Sequence, residues 1–221
     1  MALNSDDQEQ LETLKNWWKN NGKALVLGGV LALVGFGGFQ GYTSYQQSQA
    51  ETASGLYSEL SQLLVNPQSN QLSAEAKLSA SELIKRLTED FSGSIYADYA
   101  HLFAARLAVE EDQLSQAKTH LEAALSNTKV ESLGLIARLR LARILTAEDK
   151  TQEALKLLNV ASAGSFTAEF ETLKGDLFIS QGETELARQA YQKALDANQA
   201  RGDNPPLLEL KLDNLPGDEE V

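Results

Sequence analysis

Residues 168–199, AEFETLKGDLFISQGETELARQAYQKALDANQ, decide the fold of this 221-residue chain. Small and aromatic residues recur along this stretch at helical spacing: Gly175, Phe178, Gly182, Ala187, Tyr191 and Ala194. Gly182 separates two helix-length segments and suits the turn that ends the first helix. Small residues at Gly175 and Ala187 allow the two helices to pack closely, and Tyr191 fills the gap to the next pair. The stretch therefore predicts a helical hairpin.

The same pattern returns twice on the N-terminal side without the aromatic residues: first as Ala142, Leu145, Asp149, Ala154, Leu158 and Ala161, and before them as Ala105, Ala108, Asp112, Ala117, Leu121 and Ala124. The tetrads EEDQ at 110–113 and AEDK at 147–150 fall where the turn between two helices belongs. An earlier pair is predicted at about 53–64 and 73–89. These spacings resemble the tetratricopeptide repeat and predict about four hairpins stacked in a short solenoid.

The segment 24–39, ALVLGGVLALVGFGGF, contains no polar side chain and predicts a membrane span. A helix over 24–45 reaches ~33 Å, enough for the ~30 Å hydrocarbon core. Six flanking residues suit the two membrane interfaces: Trp17, Trp18, Lys19, Lys23, Tyr42 and Tyr45. Lys15, Lys19 and Lys23 precede the span and the next cation is Lys77, so we expect a cytoplasmic N-terminus.

A cleaved signal peptide is the competing interpretation of this segment, with residues 48–50 (SQA) as the cleavage site. The long acidic stretch before the apolar run and the distance from Phe39 to that site favour an anchor. Within the span, small residues at four-residue spacing predict a face for another helix: Gly28, Ala32, Gly37 and Gly41. Glycine is also common in membrane helices without such a partner, and the two explanations remain equal.

The composition excludes several classes of function. With 19 basic and 31 acidic residues the net charge is −12, which argues against nucleic acid as a partner. The absence of cysteine removes disulfides, thiolate metal sites and cysteine nucleophiles. His101 and His120 have no accompanying catalytic or metal-binding motif, so we expect surface histidines, no cofactor and no enzyme activity.

A partner-binding groove follows from the repeat register. In tetratricopeptide arrays the second, fifth, ninth and twelfth residues of each first helix line the concave face. The predicted groove residues are Tyr99, Leu102, Arg106, Val109, Ile136, Leu139, Arg143, Thr146 and Asp176, with Glu169, Thr172 and Ile179 in the same register. Arg106 and Arg143 recur at equivalent places among apolar neighbours, which suits a peptide with apolar and acidic features. For the apolar residues we favour packing within the solenoid, and for Arg106 and Arg143 packing and partner binding are equal alternatives.

The C-terminal segment 201–221 differs from the repeats. Pro205 and Pro206 interrupt a helix, and leucines at 208, 210 and 212 alternate with charged residues. We therefore predict an extended tail that is either solvated or laid in the groove. The predicted organisation is a segment 1–23, a transmembrane helix 24–45, a repeat domain 46–200 and the tail. The fold class is all-α: a single N-terminal transmembrane helix followed by a tetratricopeptide-like solenoid and an extended C-terminal tail.

The whole chain resembles the YfgM family of bacterial inner-membrane proteins. The resemblance rests on KNWWKNNGK at 15–23, the glycine-rich span, the degenerate repeats and LLELKLDNL at 207–215. It implies a cytoplasmic N-terminus, a periplasmic repeat domain and association with the SecYEG translocon as an ancillary subunit. It also implies a PpiD-type membrane-anchored peptidyl-prolyl isomerase as a partner, and a link to the Rcs envelope-stress response regulator.

Two functions are therefore expected from the sequence. The first is a non-enzymatic scaffold at the translocon that also holds unfolded secreted proteins, with membrane lipid around its anchor. The second is negative regulation of a cytoplasmic response regulator through residues 1–23, where Leu3, Leu11, Leu14, Trp17 and Trp18 form an amphipathic face.

Overall fold

The computed structural model describes residues 5–64 and 72–215, and these residues form helices without a β-strand. The helices are α1 (Ser5–Leu64), α2 (Ala74–Asp90), α3 (Ile95–Glu110), α4 (Leu114–Asn127), α5 (Glu131–Ala147), α6 (Thr151–Leu158), α7 (Thr167–Ser180), α8 (Thr184–Ala200) and α9 (Pro206–Asp213), with a 3₁₀ turn at Gly164–Phe166. The prediction of an all-α chain is confirmed. The chain divides into two compact units, residues 1–52 and 53–221.

Helix α1 continues through both ends of the predicted membrane span. Its flanks are rich in Ala, Gln, Glu and Leu, and no proline occurs before Pro67, so nothing in the sequence stops the helix at 23 or 45. From Leu25 to Phe39 every large apolar side chain is exposed. By length and composition, α1 is the one helix in the described part of the chain that could cross a membrane.

Three short turns inside the hairpins share one geometry. Asp112, Asp149 and Gly182 have positive φ angles of 58°, 58° and 75°. After each of them, the next backbone N–H donates to a carbonyl in the last turn of the preceding helix, as Gln113 does to Ala108 over 2.8 Å. This arrangement is a Schellman motif, in which a left-handed residue lets the terminal carbonyls find donors. Aspartate tolerates that conformation better than most residues with a side chain. The predicted turns at 110–113 and 147–150 are confirmed.

The hairpins α3–α4, α5–α6 and α7–α8 stack through small residues. Ala117, Ala154 and Ala187 occupy equivalent places on the second helices and are completely buried. Before them, the end of α1 from Ala53 onward packs with α2 and α3, and Ser73 caps α2. The described residues thus contain three hairpins, preceded by a cluster that joins the end of α1 with α2 and α3. The prediction for Ala161 is wrong, because α6 ends at Leu158 and leaves this residue exposed in the following loop.

The prediction of an extended C-terminal tail is also wrong. Residues 206–213 form α9, and Pro206 occupies the first turn, where its missing N–H costs no helical hydrogen bond. Leu208 and Leu212, four residues apart, pack against α8 near Tyr191 and Ala194. Leu210 lies outside this face and is 55% exposed, so the leucine alternation does not mark a strand. Residues 216–221 of the predicted tail lie outside the described residues.

Candidate partner-binding groove

A cavity of about 420 Å³ opens between α3, α4 and α5. The cavity is lined by six apolar residues, one acid and three arginines: Ala105, Val109, Leu114, Leu121, Ile144 and Ala147, then Glu110, and then Arg106, Arg140 and Arg143. A volume of this size lies within the range of small-ligand and side-chain pockets, and it is far too small for a folded partner. The cavity can therefore accept a few side chains of a partner segment.

The repeat geometry brings two of these arginines together. Arg106 on α3 and Arg143 on α5 lie at the same distance from their left-handed turn residues, Asp112 and Asp149. Because α3 and α5 are the first helices of successive hairpins, equivalent residues on them face the same cavity. The structure thus places Arg106, Val109 and Arg143, three of the predicted groove residues, along one surface.

Arg140 is a lining residue that sequence reasoning missed. It precedes Arg143 by three residues, and such a pair shares one side of a helix, which is the signal that could have revealed it. Its guanidinium donates a hydrogen bond of 3.1 Å to the backbone carbonyl of Leu102. Partial burial, followed by the charges of Arg143 and Arg106, lowers the pKa of Arg140. The guanidinium group of Arg140 therefore lies close enough to those of Arg143 and Arg106 to be repelled by them.

Only part of this positive charge is compensated within the cavity. Arg106 forms an ion pair of 2.8 Å with Glu110, four residues later on the same helix. Among residues 5–64 and 72–215, neither Arg140 nor Arg143 forms an ion pair within 4.0 Å. The cavity therefore combines an apolar wall with guanidinium donors that are free to bind an anion.

Most other predicted groove residues do not line this cavity. Leu102 and Leu139 are buried in the core, and Ile136 packs against the same core. The ring of Tyr99 lies 5.2 Å from that of Tyr57 on α1. The Thr146 hydroxyl donates to the carbonyl of Ala142 over 2.8 Å. For these residues the structure favours the packing role that the sequence left open.

Asp176 on α7 is the counterpart of Arg106 and Arg143. Its carboxylate is already bonded to other residues of the same chain. Its carboxylate accepts a hydrogen bond of 2.6 Å from the Tyr191 hydroxyl and forms an ion pair with Lys211 on α9. Burial, together with the Asp176 carboxylate, raises the pKa of Tyr191. The Lys211 ammonium also lies 5.6 Å from the centre of the Tyr191 ring. Helix α9 therefore closes this end of the repeat domain.

The two histidines lie together across α3 and α4. Nδ1 of His101 is 3.2 Å from Nδ1 of His120, and both rings are half-buried. They lie on the two helices of one hairpin, and they are half-buried rather than the surface histidines that the sequence predicted. Burial lowers the pKa of both rings, and His120 lowers that of His101 further. The described residues contain no cluster of three or more potential metal ligands.

The predicted membrane-facing residues all lie on α1. The interface candidates Trp17, Trp18, Lys19, Lys23, Tyr42 and Tyr45 are exposed, as is Ala32 of the small-residue stripe. At Gly28, Gly37 and Gly41 an added Cβ would meet no atom within 4 Å. These positions are therefore free for lipid or a second helix, and their predicted roles stay predictions.

Stacked helical hairpins define a helical-repeat protein as the class. The profile of the tetratricopeptide repeat-like domain matches residues 15–217, so the chain belongs to this family. The match covers both the apolar segment of α1 and helix α9.

Curated relatives match along almost the whole chain and confirm the resemblance seen in the sequence. A protein of Haemophilus influenzae is 27% identical over 97% of this chain and 100% of its own length. Proteins of Neisseria gonorrhoeae and Escherichia coli are 29% and 25% identical over 97% of this chain, and over 100% and 99% of their own lengths. Each of the three is named an ancillary SecYEG translocon subunit. No solved structure matches the chain.

Proposed function

We propose that this protein is an ancillary subunit of the SecYEG translocon in the bacterial inner membrane. The observation that carries the proposal is that relatives of this name match the chain from end to end, with 97% of it covered. The apolar, fully exposed middle of α1 supports anchoring in a membrane. The lysines at 15, 19 and 23 support a cytoplasmic N-terminus and, with it, a periplasmic repeat domain.

In this role the repeat domain is a non-enzymatic scaffold. A tethered groove meets neighbouring membrane proteins and emerging chains at a high effective concentration, so modest affinity is sufficient. A PpiD-type peptidyl-prolyl isomerase and unfolded secreted proteins are the partners that this arrangement serves. The cavity between α3 and α5 supports this function because it offers apolar walls together with charged donors.

Site-specific crosslinking in secreting membranes tests the proposal. A photoreactive residue is placed at Arg106 or Arg143 in the full chain, and at Arg86, an exposed residue of α2 outside the cavity, as the control. We expect adducts with an isomerase or a nascent chain from the two groove positions and none from the control. Copurification from mild detergent should also recover translocon subunits. Absence of translocon subunits from the purified complex would contradict the proposed function.

A second candidate function is regulation of a cytoplasmic response regulator of the Rcs type. Leu11, Leu14 and Trp18 are exposed on α1, and their spacing places them on one face of the helix. Leu3 of the same predicted face lies outside the described residues. Deletion of residues 3–12 tests this candidate: a changed stress response with intact translocon association would support it, and an unchanged response would contradict it.

A further inference from the structure

We infer that the cavity between α3 and α5 is a subsite for an aspartate or glutamate side chain of a partner segment, flanked in that segment by bulky apolar residues. This inference rests on the proposed function in one respect, since it takes the groove as a partner-binding surface. Beyond that function, it specifies that the bound segment carries an acidic side chain next to bulky apolar ones.

The charge inside the cavity points to a carboxylate. Three guanidinium groups line it and a single acid, Glu110, is available to balance them. Glu110 is bonded to Arg106, one turn away on α3, which leaves Arg140 and Arg143 on α5 for an incoming anion. Guanidinium groups present paired N–H donors that match the two oxygens of a carboxylate. A bound carboxylate would also offset the repulsion that Arg140 experiences from Arg106 and Arg143.

The walls point to apolar neighbours of that carboxylate. Val109, Leu114, Leu121 and Ile144 line the cavity together with the arginines. Val109 is 47% exposed and Leu114 is partly buried, whereas Leu121 and Ile144 are buried. A small inorganic anion would leave the exposed surface of Val109 and Leu114 in contact with water, whereas leucine or phenylalanine beside the acid would cover it. A segment of the type apolar–acidic–acidic–apolar therefore fits the cavity better than an anion alone.

The acidity of the whole chain does not oppose such a ligand at close range. At physiological ionic strength the Debye length is about 8 Å, so carboxylates on distant helices are largely screened. Direct charge-assisted hydrogen bonds act within ~3 Å and are not screened in this way. With a net charge of −12, the chain attracts an acidic segment only where the arginines lie. The negative charge elsewhere therefore favours binding of that segment at the cavity over binding at other surfaces.

Peptide binding to the full-length protein in nanodiscs of zwitterionic lipid tests this inference. The probes are fluorescein-labelled Gly-Ser-Leu-Asp-Asp-Leu-Ser-Gly, its Asn-Asn counterpart, and a version with Ser in place of both Leu, followed by anisotropy. We expect the Asn-Asn and the Ser versions each to bind at least about tenfold more weakly than the first peptide. Arg140→Gln and Arg143→Gln should abolish the preference for Asp over Asn. Arg138→Gln removes the same charge from α5 outside the cavity and should leave the preference intact.

Two further arms keep the test decisive. Arg143→Glu should weaken the Asp-Asp peptide and favour a Lys-Lys counterpart, a reversal that simple unfolding cannot produce. Anionic lipid in the nanodisc should leave peptide affinity unchanged. Equal binding of the Asp and Asn peptides, an equal effect of Arg138→Gln, or displacement of the peptide by anionic lipid would each overturn the inference. Translocon copurification is a separate measurement, so loss of peptide selectivity with intact copurification would remove this inference and retain the proposed function.

Discussion

The packing of Tyr191 against Gly175 makes a sharp prediction for the variant Gly175→Ala. A Cβ added at Gly175 would lie 2.3 Å and 2.5 Å from two carbons of the Tyr191 ring. Ordinary carbon contacts begin near ~3.5 Å, so the ring would have to retreat by about 1 Å. Tyr191 is 3% exposed and its hydroxyl is bonded to Asp176, so the ring has little room to move.

The expected cost of this substitution combines three contributions. Overpacking of a filled core costs about 1–3 kcal/mol. Weakening of the Tyr191–Asp176 hydrogen bond costs up to ~1.5–3 kcal/mol, because the acceptor is charged. Replacing glycine by alanine inside a helix returns ~1 kcal/mol. We expect a net loss of about 2–3 kcal/mol, which lowers the midpoint of thermal unfolding of the repeat domain by roughly 5–10 °C.

Thermal unfolding of the full-length protein in detergent, followed by far-UV circular dichroism, measures this loss. Gly55→Ala is the matched control, since an added Cβ there meets no atom within 4 Å and the helix should gain up to ~1 kcal/mol. In a Tyr191→Ala background the clash is absent, so Gly175→Ala should become neutral or stabilising. A stabilising effect of Gly175→Ala in the wild-type background, or an unchanged penalty in the Tyr191→Ala background, would refute this reasoning.

Two more predictions concern the histidine pair and α9. Burial lowers the pKa of His101 and His120 below their unfolded value near ~6.5, so the folded state binds fewer protons and stability should fall as the pH drops below this value. The unfolding free energy at pH 7.5 and 5.5 should therefore differ less in the double variant His101→Gln/His120→Gln, and an equal difference would contradict the assignment. Leu208→Ala should cost about 2–5 kcal/mol in urea unfolding, whereas Leu207→Ala, at a residue that is 67% exposed, should change little. Equal small effects of the two leucine variants would mean that α9 does not pack as described.

The hairpins could be predicted from the sequence because their rules are local. Asp112 and Asp149 align with Gly182, and all three adopt the left-handed conformation that a tight helix ending requires. Helix α9 was missed because leucines at 208 and 212 satisfy both a two-residue and a four-residue period. Whether this segment is a helix or a strand depends on the burial of Leu208 against Tyr191. This tertiary contact cannot be read from the spacing of the leucines.

The groove could be predicted only in part. The register rule placed Arg106 and Arg143 together, since equivalent residues of stacked repeats face the same side. Apart from Val109, the other predicted residues of α3 and α5 do not line this cavity. On α3 and α5 the cavity is lined by residues 105–110 and 140–147, in the C-terminal parts of both helices, and α4 adds Leu114 and Leu121. Nearer the start of α3, the ring of Tyr99 packs against Tyr57 of α1. Coverage by a neighbouring element is a property of the assembled fold, so no spacing within α3 could have revealed it.

Helix α9 supplies the lysine that neutralises the acidic member of the groove register. Arg106, Arg143 and Asp176 are equivalent residues of the first helices in the last three hairpins, each six residues before the left-handed turn residue, so the series changes from basic to acidic. Lys211 of α9 pairs with Asp176, while Arg143 has no ionic partner among the residues that the structure describes. Asp176, the acidic member of the series, is thus neutralised within the chain, whereas the charge of Arg143 is not. Within a protein of net charge −12, this makes the groove a locally cationic surface, and an acidic partner segment is the ligand that this surface distinguishes.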